Sequence, residues 1–122
     1  MNFVVLAASS AMLHRVQQSV EPISFLHHRA DTFVPAVRDF KDELFVVASF
    51  HDLSLQRLAV DVLAPRSPAV VVCGDERFAE VSAQPAAELD VPLITEASPT
   101  TWIEQARRTS EARTIVQGAE RS

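Results

Sequence analysis

The feature that most narrows what this chain can fold into is a set of short, uninterrupted apolar runs: Phe3 to Ala7, Leu44 to Ala48, Ala69 to Cys73 and the shorter Val91 to Ile94. Continuous runs rich in β-branched residues suit strands covered on both faces of a parallel sheet. Ile23 to Leu26 is a weaker fifth member, placed mainly by its position between two helical patterns.

Helix-length segments separate the runs. Over 53–63, Leu55, Leu58, Ala59, Val62 and Leu63 recur at helical spacing, with Asp52 before them as an N-cap and Pro65 just beyond. Segment 99–110 opens on Ser98-Pro99, a capping residue followed by proline at the first helical position, and puts Trp102, Ile103 and Ala106 on one side. Segment 11–20 carries Met12, Leu13, Val16 and Val20, and segment 31–40 carries Phe33, Val34, Val37 and Phe40. In segment 76–89, Pro85 is expected to end or kink a helix begun near Glu76. Strand and helix thus alternate five times, and right-handed crossovers would place helices on both faces of one sheet. The expected fold is α/β, a three-layer doubly wound (βα)5 sandwich with a five-stranded parallel sheet. Residues 1–110 read as one domain. Residues 111–122 turn polar around Ile115 and Val116 and read as a helix extension or linker.

With 122 residues and 48% apolar content, the chain can bury one core of ordinary size. A net charge of −5 supplies no diffuse basic field, which disfavours direct binding to nucleic acid or an anionic membrane. The first apolar run has no Lys or Arg before it, unlike a signal peptide, and no run is long enough to cross a bilayer. The single Cys73 forms no internal disulfide and fits a reducing compartment, so the expected location is cytoplasmic. Glycine occurs only at 74 and 118, so no Gly-rich phosphate cradle can be written. The sole lysine, Lys41, precedes the third strand and lies at the pole opposite the strand ends.

Ligands of open parallel sheets bind beyond the carboxyl ends of the strands. The residues expected there are Ala8, Ser9 and Ser10; His27 and His28; Ala48, Ser49 and His51; Cys73, Gly74 and Asp75; and Thr95 and Glu96.

Over roughly 2–110, five βα units with these spacings give the chain a layout that resembles the receiver domain of two-component response regulators, a flavodoxin-like fold. The resemblance implies an acidic pair after the first strand for Mg²⁺, a phosphoacceptor Asp ending the third, a Thr or Ser after the fourth and a Lys after the fifth. At those positions this chain has Ser9 and Ser10, then Ala48 followed by Ser49, then Cys73-Gly74, and finally Glu96, with Leu93 near the aromatic switch position. The resemblance therefore implies a degenerate, or pseudo-, receiver that keeps the fold without phosphorylation, metal or cofactor.

Two sharper chemistries compete with that expectation. His27, His28 and His51, with Asp31 and Cys73 as neighbours, form a zinc-compatible set, but the receiver order puts the first strand between the second and third and so separates them. Cys73 with a nearby His would make a nucleophile–base pair, with Gly74 letting substrate approach, although Cys ending a Val-rich strand is more often a small core residue. Trp102, with Leu93 and Arg107, is the candidate partner surface; its apolar neighbours at helical spacing favour core packing for the indole. The expected function is a non-catalytic regulatory domain that binds a protein partner, a second copy or an output module in a longer chain. The alternative is a small enzyme or a metal- or small-molecule-binding domain using Cys73 and the histidines.

Overall fold

Strand β1 (Asn2–Leu6) is the axis of the molecule, buried along its whole length and paired in parallel on both sides. The computed structural model describes residues 2–28, 42–47 and 53–121. After β1 come a single-turn helix α1 (Ser10–Leu13) with a 3₁₀ turn at Val16–Gln18, β2 (Ile23–His28), β3 (Glu43–Val47) and α2 (Leu53–Leu58). There follow β4 (Pro68–Cys73), α3 (Ala79–Leu89), the short β5 (Leu93–Ile94) and α4 (Trp102–Arg121). All strand pairs are parallel, and the five-stranded sheet runs β3-β2-β1-β4-β5.

Alternation along the strands divides the core in two. Phe3, Val5, Phe25 and Val72 face one side, where Met12, Val16, Trp102, Ile103 and Ala106 cover them. Val4, Leu6, Leu26 and Val71 face the other, under Leu63, Val81 and Ala86. Each large side chain so enclosed contributes about 1.5–3 kcal/mol; the runs at Phe3 and Ala69 form the buried central strands β1 and β4, whereas those at Leu44 and Val91 form the partly exposed edge strands β3 and β5. Met12 of the segment between β1 and β2 belongs to the first cluster, and Leu63 of the segment between β3 and β4 belongs to the second.

The strand order departs from the receiver expectation. β2 and β3 are direct neighbours, with His27 opposite Val46 and His28 opposite Val47, and β1 does not lie between them. The α/β class and the five parallel strands stand. The predicted helix over 31–40 lies outside the described residues, and so do Asp31 and Lys41.

Local chemistry explains where the helices differ from their sequence patterns. The helix expected over 11–20 is only one turn plus the 3₁₀ turn, and Val20 is left 73% exposed. Glu21 precedes Pro22 and so resists helical geometry, while the Ser19 hydroxyl bonds to the Glu21 carboxylate and accepts from its N–H, fixing a turn. Pro85 does not end its helix: α3 continues through it to Leu89, and the buried ring adds packing where its missing N–H removes one bond. The segment over 53–63 widens into a π turn at Ala59–Leu63, where Ala64 N–H reaches the Ala59 carbonyl. Pro65, inside the following 3₁₀ turn, cannot donate, and the wider turn makes room for its ring. Helix α4 begins at Trp102, later than expected, and its backbone is helical through Arg121.

Ser67 closes the 3₁₀ turn before β4 with a left-handed φ of 50°, and its side chain is exposed. Ser67→Gly should remove the steric cost of that conformation and stabilise the fold by about 1 kcal/mol. Chemical denaturation would show a higher midpoint at unchanged slope; a lower midpoint would refute the assignment.

Candidate functional site

In a sheet of order 3-2-1-4-5 the chain reverses its direction of travel between β1 and β4, and the crevice beyond their carboxyl ends is where such sheets take ligands. Two turns meet there: Ala7-Ala8-Ser9 after β1 and Gly74-Asp75 after β4. They are in direct contact. Gly74 N–H donates to the Leu6 carbonyl at 2.8 Å, extending the β1–β4 ladder past the last strand residues. Ala7 adopts a left-handed φ of 53°, while its N–H bonds to the Leu26 carbonyl at 3.0 Å. A Cβ placed on Gly74 would lie 2.4 Å from the Ala7 carbonyl oxygen and 2.9 Å from Ala8 Cα, both backbone atoms. Gly74 was expected to let a substrate approach; it is the chain's own β1 turn that fills that space.

The polar groups around this contact serve the fold. Ser9 is the N-cap of α1 and its hydroxyl accepts from Met12 N–H at 3.3 Å. Ser10 is exposed on the first turn of the same helix. Cys73 is 2% exposed, and its thiol donates to the Asp75 carbonyl at 2.9 Å. The Asp75 carboxylate caps the 3₁₀ turn at Glu76–Phe78 and is gripped by the Arg77 guanidinium, with Nη2 to Oδ2 at 2.7 Å and Nε to Oδ1 at 3.2 Å. That grip holds its pKa below the ordinary carboxylate value. Glu96 is exposed after β5. Ala48, Ser49 and His51 lie outside the described residues.

The histidines find a different arrangement from the one the receiver order implied. Because β2 and β3 are adjacent, His27 and His28 end a strand directly beside the one that precedes His51. His27 is nonetheless a core residue, 1% exposed. Among the described residues no cluster of three or more His, Cys, Asp or Glu could hold a metal ion.

Of the three residues named as a candidate partner surface, Trp102 lies in the core, the position its helical neighbours favoured. Trp102 is 0% exposed, and its indole N–H donates to the Met12 carbonyl at 2.9 Å, so it anchors α4 to α1 and cannot meet a partner. Leu93 is partly buried against the other core layer. Arg107 remains at the surface but is committed to Glu21, donating from Nε to Oε1 and from Nη2 to Oε2 at 3.0 Å. A second pair, Arg15 Nη2 to Glu104 Oε1 at 2.7 Å, spans the same two segments. Sequence reasoning missed these pairs, and it missed Asp75–Arg77, for which an acid two residues before an arginine was the available signal. Among the described residues, no helix is long and apolar enough to cross a membrane.

Arg107 and Ser19 together hold the Glu21 pKa at about 2, against an ordinary 4.5, despite the opposing effect of burial. That gap corresponds to at most about 3 kcal/mol, and screening of the roughly one-third exposed Arg107 reduces it to about 2 kcal/mol. A depressed carboxylate stabilises the fold at pH values above its unfolded pKa, so this contribution is complete above about pH 4.5 and disappears as pH falls toward 2. Glu21→Gln should therefore cost about 2 kcal/mol at neutral pH, with the deficit shrinking steadily below pH 4.5. Urea titrations of both proteins across that range would check this; a deficit independent of pH would refute it.

Gly74→Ala forces two backbone turns apart and should destabilise by about 1–3 kcal/mol. A variant as stable as the parent in thermal melts would show that the turns are not in contact. Comparison with protein-family models, with curated proteins and with solved structures finds no match, so the chemistry of these turns is what bears on function.

Proposed function

We propose that this domain is non-catalytic and acts through protein–protein contact, independently of phosphorylation. The observation that carries this reading is the backbone contact between the two turns at the β1–β4 crevice, with Gly74 packed against the Ala7 carbonyl. A parallel sheet that binds a cofactor or phosphate does so where these two turns would stand apart and offer free N–H groups. Here the Gly74 N–H is bonded to Leu6 and the Ser9 hydroxyl caps its own helix, while Arg77 holds the Asp75 carboxylate and the buried Cys73 thiol bonds to a carbonyl. These four groups, which could otherwise start chemistry at the crevice, already serve the fold.

This reading does not depend on the receiver resemblance, whose strand order differs from that of this sheet. At the level of residues the chain has Ser9 and Ser10 after its first strand and Glu96 after its fifth, where a receiver has acids and a lysine. Those replacements leave no carboxylate after β1 to hold a divalent cation and put a negative charge where a phosphoryl group would need a positive one. The partner is a protein or a second copy of the chain; a net charge of −5 makes nucleic acid a poor alternative.

Incubating the folded protein with phosphoramidate and Mg²⁺ should leave its intact mass unchanged. Thermal melts with millimolar nucleotides or divalent cations should stay within about 1 °C of the apo value, since tight binding to the native state alone would raise it. A stoichiometric acyl phosphate, or a saturable rise of several degrees with a nucleotide, would overturn the proposal.

A further inference from the structure

We draw no further inference here: the strongest candidate, the His27–His28 pair at the carboxyl end of β2 beside β3, gains no third ligand-bearing side chain among the described residues, and its two consecutive members point to opposite faces of the sheet.

Discussion

The hydrogen bond from Gly74 N–H to the Leu6 carbonyl continues the central β1–β4 ladder one step beyond the strands, and the shape of the carboxyl edge follows from it. To stay in register, the turn after β4 must pass within van der Waals range of the turn after β1, which only a residue without a Cβ can do. The left-handed Ala7 places its carbonyl at that meeting point, at a cost of about 1 kcal/mol. Burial of Ala7, Ala8 and Cys73 around the contact offsets that cost. At the point where open parallel sheets take ligands, the two turns of this chain thus meet backbone to backbone.

The strands were legible because their chemistry is local. A run such as Val70-Val71-Val72 has few alternatives to a doubly covered strand, and even the weak Ile23–Leu26 segment proved to be the buried start of β2. The single turn of α1 and the π turn of α2 were hidden for a different reason. They depend on how Pro22 and Pro65 fit what precedes them, and periodicity registers a proline only as a stop. Pro85 shows the converse, since a buried position in a packed helix outweighs the loss of one backbone bond.

Strand order was not legible, because nothing in an isolated run says which neighbour it takes. That one fact set the β2 histidines beside β3 and put the crevice at β1 and β4. Composition did identify Gly74 as one of only two glycines in the chain. It could not distinguish a glycine that admits a ligand from one that admits the chain's own backbone, because the deciding atom belongs to Ala7, distant in sequence.

The indole of Trp102 ties the fate of two unequal helices together. One turn of helix has almost no stability of its own, because nucleation fixes several residues for a single bond. Helix α1 therefore exists by leaning on α4, through the Met12 carbonyl, the Met12 side chain and the Arg15–Glu104 pair. Through these contacts the two helices are expected to open together rather than separately. The β1 turn begins where α1 is capped, at Ser9. Its closure over the crevice is thus energetically linked to the seating of a helix whose docking residues lie at the far end of the sequence.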